Sequence, residues 1–170
     1  QVSYNAIKSL IQKGHTNIGY IYSSKNYELS TGRDRFQGYL DALADSGLAR
    51  DEKIIVGRKQ QTFENGYDAM KQLLQEKKAT ACFVAENPMA QGVFKCLMHY
   101  KKRIPEEMAM ICYDDFEWSQ LTVPTISAIR QPMKEMGRKA AELLLKKIGD
   151  PDAQCENIIL KSEFILRESC

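Results

Sequence analysis

The sequence is poor in the groups that most enzyme mechanisms need. It holds two histidines, His15 and His99, far apart along the chain. His15 follows the helix-ending Gly14, and His99 sits near a helix end beside Lys101 and Lys102, so each reads as a turn or surface residue rather than a general base. No G-x-S-x-G, G-x-G-x-x-G, H-E-x-x-H or Walker loop occurs. The five cysteines are an odd number without a C-x-x-C pair or a histidine at ligand spacing, which argues against a disulfide framework and a zinc site. Cys82 and Cys112 fall inside apolar runs, where free cysteine acts as a small hydrophobe, and a reducing cytoplasm fits this usage. No apolar stretch approaches the roughly 18 residues of a membrane span, and the first residues read as a polar helix rather than a leader, so neither export nor insertion is expected.

Charge of one sign is also missing. The chain has 24 basic and 22 acidic residues, a net charge of +2, and no block of five like charges, so nothing within it suggests a nucleic-acid surface. The clusters Lys77-Lys78 and Lys101-Lys102-Arg103 lie at expected helix ends, where cations complement the helix dipole.

What is present is an ordinary globular composition, 44% hydrophobic and 27% charged over 170 residues, enough for one well-buried domain. A helical stripe at Ile7, Leu10 and Ile11 ends at Gly14 and is followed by a strand over residues 17 to 22. A helix over 33 to 46 buries Phe36, Tyr39, Leu40 and Leu43, and Ile54-Ile55-Val56 reads as the second strand. Tyr67, Met70, Leu73 and Leu74 mark the next helix, and residues 80 to 85 the third strand. Asn87-Pro88 reads as an N-cap with proline at the first helical position, and residues 108 to 113 as the fourth strand. The alternation predicts an α/β fold with a doubly wound parallel sheet, right-handed crossovers and helices on both faces. The last third changes character: a β-branched run over 125 to 131, a long helix opened by Pro132 and closed by Gly149, and a final strand over 158 to 166. The first helix has no strand before it, the one irregular note in the pattern.

Each apolar run stops at a polar loop. Residues 22 to 30 follow the first, Gln60 and Gln61 the second, Glu86 and Asn87 the third, Asp114 and Asp115 the fourth. In an open α/β sheet ligands bind in the crevice outside the carboxyl ends of the strands, so these groups are the candidate site. Asp114-Asp115 has the form of a Mg²⁺-binding pair of a phosphotransfer domain and equally of a helix N-cap, and no Lys or Thr set for a phosphoryl group accompanies it. Neither a catalytic residue, a metal nor a cofactor is expected.

An ordered set of short elements carries a resemblance over almost the whole chain. It comprises Gly14-His15, Arg35 with Gly38 and Tyr39, Asn65-Gly66-Tyr67, and Met89-Ala90 with Gly92. Further on come Tyr113-Asp114-Asp115, residues 124 to 132 reading PTISAIRQP, Gly137 with Ala140 and Ala141, and the ending Leu166-Arg167-Glu168-Ser169. The chain resembles the effector-binding core of the LacI/GalR family of bacterial transcription regulators, whose sensor shares the type I periplasmic-binding-protein fold. The resemblance implies two lobes flanking a cleft. Residues 1 to 14 and 132 to 149 would be remnants of the N-terminal lobe, residues 17 to 129 and 157 to 170 the C-terminal lobe, and residues 124 to 132 a crossover. The DNA-reading helix-turn-helix is absent from this chain. Operator DNA would be bound only through that missing segment, and the protein would be a non-enzymatic, cytoplasmic homodimer without membrane partners.

The resemblance further implies ligand-binding roles for Thr31, Arg35, Gln61, Glu86 and Asp114. Thr31 and Arg35 are one helical turn apart where relatives use a polar group and an arginine, and Asp114 matches an aspartate that accepts from sugar hydroxyls or a base. The alternatives are a local cap for Thr31 and Asp114 and a surface ion pair for Arg35; for Arg35 and Asp114 the binding role is favoured, because both lie at the edge the strand order predicts. Two positions depart from the family. Glu86 stands where an asparagine is usual, and Gln61 where several relatives place a stacking aromatic, with Tyr22 or Tyr27 as substitutes. Two carboxylates with one evident cation favour a neutral sugar over a sugar phosphate or purine. Alternatives are a transporter's exported sugar-binding protein, which shares the fold, and a doubly wound phosphotransfer or hydrolase domain.

Overall fold

A computed structural model describes residues 1–152, 154 and 156–170 of the chain, so Cys155 lies outside the described residues. Six strands form one sheet: β1 (Ile18–Ser23), β2 (Ile55–Arg58), β3 (Ala81–Val84), β4 (Ala109–Tyr113), β5 (Ser127–Arg130) and β6 (Glu163–Ile165). Their spatial order is β2-β1-β3-β4-β5-β6, all parallel except β6, which runs antiparallel to β5 through Ile129 opposite Phe164. Helices α1 (Val2–Gln12), α2 (Ser24–Tyr27), α3 (Ser30–Ala44), α4 (Phe63–Glu76), α5 (Asn87–His99), α6 (Trp118–Leu121) and α7 (Met133–Gly149) fill the connections. The doubly wound parallel sheet expected from the alternation is present.

Period-2 side-chain alternation sorts the central strands between two cores. Tyr20, Phe83, Ile111 and Ile129 face α1 and α3, while Ile21, Cys82, Met110 and Ala128 face α4 and α5. Helices α4 and α5 approach backbone to backbone. A Cβ at Gly66 would lie 2.1 Å from the Met89 carbonyl oxygen, and one at Gly92 would lie 1.9 Å from that of Phe63. Thr62 caps α4 by accepting from the Asn65 N–H, and Lys77 closes it in the left-handed conformation.

Several expectations are revised. Helix α1 packs on this sheet: Ala6, Ile7 and Leu10 are fully buried in the same core as Tyr20 and Tyr39, and Gly38 lets α3 close on Ser3 and Tyr4. The second strand begins at Ile55 rather than Ile54, because Glu52–Ile54 turn as a 3-10 helix capped by Asp51. The N-cap of α5 is Glu86, one residue before Asn87. The final strand is limited to residues 163 to 165 of the expected 158 to 166. Helix α7 buries no residue, and Met133, Met136, Leu144, Leu145 and Ile148 are exposed along it.

Candidate ligand site at the carboxyl edge

The carboxyl ends of β1, β3 and β4 bring Glu86, Arg35 and Asp114 together. Arg35 projects from α3 with its Cζ 3.7 Å from the centroid of the Tyr113 ring, and its Nη1 donates to the Ala85 carbonyl at 2.7 Å. The cation is thereby held flat on an aromatic face by stacking and one strong hydrogen bond. Its Nε is buried without a partner, and no hydrogen bond is made by Nη2 among the described residues. This leaves unused donor capacity on the guanidinium.

Asp114, the first residue past β4, adopts φ +69, a left-handed conformation that aspartate tolerates better than bulkier residues. Its backbone is pinned by its own N–H to the Ile129 carbonyl at 2.9 Å and by the Asn87 amide to its carbonyl at 3.0 Å. Oδ1 of its carboxylate accepts from Gln131, just past β5. Asn87 is itself fixed by Gln91 Nε2 and Trp118 Nε1, which donate to its Oδ1 at 3.2 and 3.3 Å. The half-buried Asp114 carboxylate is therefore an oriented acceptor.

The neighbouring Asp115 has a different task. Its carboxylate is 0% exposed and accepts from Arg167, Arg130 and Ser119, which hold its pKa down at about 2 against the opposing effect of burial. Every approach to that carboxylate is occupied, so Asp114 and Asp115 do not form a pair open to a cation. Among the described residues no cluster of three His, Cys, Asp or Glu could hold a metal ion.

Glu86 is 3% exposed, and burial is the main cause raising its pKa to about 7. The Ser23 N–H donates to its Oε2 at 3.0 Å, and Arg35 and Asn26 also favour the ionised form while Asp114 opposes it. The carboxylate thus braces the turn between β1 and α2 from beneath rather than lying open at the edge, which weakens the expectation of two carboxylates facing a ligand. Gln61 is exposed and accepts from Asn26 Nδ2 at 3.0 Å, joining the loops after β1 and β2. Thr31 is exposed as the second residue of α3 and does not cap it, since Leu29 holds that position. Tyr22 and Tyr27 pack edge to face, with Tyr27 partly exposed beside Asn26.

Asn26, Asn87 and Gln131 complete the polar edge. Asn87 was signalled by its place after β3, whereas nothing local marks Gln131 as the partner of Asp114. Gln131 and Pro132 also open a cavity of about 410 Å³ between α7 and residues 156 to 162.

A polar edge of this kind on a doubly wound sheet agrees with what comparison with known proteins finds. The periplasmic binding protein-like domain family matches residues 7–170. The chain belongs to this family, and the relatives and solved structures it is similar to include LacI-type regulators. It is similar to the ribose operon repressor of Haemophilus influenzae, 34% identical over 98% of this chain and 49% of that protein. It is equally similar to the transcriptional repressor PurR of the same species, 34% identical over 98% of this chain and 50% of that protein. Among solved structures, a LacI family transcriptional regulator from Enterococcus faecium with bound ribose superposes with a TM-score of 0.90 at 29% identity, covering 98% of this chain and 61% of that one. The chain spans about half the length of the curated relatives it matches. No helix among the described residues is long and apolar enough to cross a membrane.

Proposed function

We propose that the chain is the larger part of the C-terminal lobe of a ligand-sensing regulator core, non-enzymatic, which binds a small neutral sugar at the edge formed by Arg35 and Asp114. The observation that carries this reading is the fixed donor and acceptor pair: Arg35 stacked on Tyr113 with unused N–H capacity, and the Asp114 carboxylate aimed by Gln131. Oriented polar groups of both kinds over a rigid sheet suit hydroxyls, each of which donates and accepts. A phosphate ester would meet the Asp114 carboxylate, whose repulsion offsets the attraction of Arg35. The ribose-bound neighbour supports a sugar, and the purine repressor among equally similar relatives makes a nucleobase the second reading.

The second lobe, to which α7 would belong, closes the cleft, and residues 124 to 132 form one crossover. Effector binding shifts the equilibrium between lobe arrangements. Operator DNA is contacted by a separate segment, and the parent works as a cytoplasmic homodimer. Leu121 and Val123, 81% and 89% exposed beside α6, offer an apolar patch for the dimer contact. Calorimetry of the parent protein with ribose, ribose 5-phosphate and hypoxanthine tests the ligand class. Ribose should bind tightest; tighter binding of the phosphate or the base would overturn the sugar reading.

A further inference from the structure

A cavity of about 690 Å³ lies at the opposite edge of the sheet from Asp114, where Thr80 leads into β3 and Met108 into β4. Its volume falls within the roughly 300–1,000 Å³ of small-molecule pockets. Leu73, Leu74, Ala79 and Met108 line it as an apolar floor, and Tyr100, partly exposed, stands at the rim. Four lysines, Lys71, Lys77, Lys78 and Lys102, share the walls with a single carboxylate, Glu107.

Two of these cations are already neutralised: Lys102 pairs with Glu107 at 3.2 Å and Lys78 with Asp51 at 3.3 Å. Lys71 and Lys77 make no ion pair among the described residues. The negative carboxyl ends of α4 and α5 attract cations, but that effect fades within the last turn, and Lys71 lies more than a turn from the end of α4. Lys77 occupies φ +52, a conformation glycine adopts without strain, and there its side chain joins the cavity wall. An apolar floor beside two cations without an ion-pair partner among the described residues, one of them also clear of the helix end, is complementary to a molecule with an apolar body and one anionic head.

We propose that this cavity is a second ligand site, separate from the Asp114 edge, for a small organic anion carrying a phosphate or carboxylate on an apolar body. Such a ligand buries its body against Leu74 and Met108 and places its head between Lys71 and Lys77. Partial enclosure strengthens that charge attraction over its value in water.

The 170-residue chain titrated with phenyl phosphate, inorganic phosphate and phenol, followed by amide chemical shifts, tests this directly. Phenyl phosphate should bind at least about 10-fold tighter than either component, since head and body contribute together. Its shifts should fall at Leu73, Thr80 and Met108, and Asp114→Ala should leave them unchanged. Lys71→Glu combined with Lys77→Gly should abolish the saturable binding at an unchanged thermal midpoint; if that pair unfolds the chain, Lys77→Gly alone, which suits the left-handed backbone, must still weaken it. Equal affinity for phosphate and phenyl phosphate, shifts centred on Asp114, or binding unaltered by the lysine changes would each overturn the proposal.

Discussion

The Asp115 carboxylate and the Arg167 guanidinium, 52 residues apart, meet in a two-point pair, Nη1 to Oδ1 at 2.7 Å and Nη2 to Oδ2 at 2.8 Å. Arg167 Nη1 also donates to the Ile126 carbonyl at 2.6 Å, and Arg130 reaches the same carboxylate, so the end of β4, the start of β5 and the segment after β6 are tied at one buried point. Removing one partner of such a pair strands a charge in a low-dielectric site. Asp115→Ala should therefore destabilise the chain by about 3–5 kcal/mol. Urea unfolding checks this, and a loss below about 1 kcal/mol would show the pair to be dispensable. Because the folded pKa of Asp115 lies below the ordinary value of 3.8, its contribution is complete above that value and is lost as pH falls through about 2.

Glu86 gives a pH dependence of opposite sign. Its folded pKa, about 7, lies above the ordinary 4.5, so the folded state holds a proton that the unfolded chain releases. Stability should be greatest below about 4.5 as far as this group is concerned, and should fall as pH rises through about 7. Glu86→Gln, which keeps an acceptor for the Ser23 N–H, should flatten the thermal midpoint between these pH values. A slope unchanged in that variant would assign it to other groups.

At the carboxyl edge, Arg35→Ala and Asp114→Ala in the parent protein should each weaken effector binding by about 1.5–3 kcal/mol, the scale of hydrogen bonds to charged groups. Asp114→Ala should leave stability within about 1 kcal/mol, since its buried anchoring contacts are made by the backbone, whereas Asp115→Ala should not. Measuring affinity and unfolding on both variants separates the two adjacent aspartates; parallel losses in both measurements would remove the distinction drawn between them.

The outer face of α7 predicts association. Leu144, Leu145 and Ile148 expose most of their surface, and an apolar patch of this size on an isolated chain favours self-contact. Sedimentation velocity should show concentration-dependent oligomers for the 170-residue chain, and Leu144→Glu with Ile148→Glu should return it to a monomer. A wild-type chain that stays monomeric at high concentration would count against this.

Hydrophobic periodicity decided the alternation of elements here, because each strand is a short β-branched or apolar run and each helix keeps one stripe. It made Ile7 and Leu10, Tyr39 and Leu43, and Met70 and Leu73 legible as buried positions, and it located Glu86 and Asp114 at one edge, to which the family resemblance added Arg35. Local pattern carries no record of which element covers which face, so the placement of α1 against α3 emerged only in the folded chain. The adjacent aspartates show the same limit. A strand end presents successive side chains in different directions, and only the arrival of Arg130 and Arg167 made Asp115 a buried structural tie and left Asp114 as the oriented acceptor. Glu86 likewise reads from sequence as a ligand group. Its burial beneath the Ser23 turn, and the neutral-range pKa that follows, were decided by the packing of β1 on β3, since desolvation is a property of surroundings that no residue carries by itself.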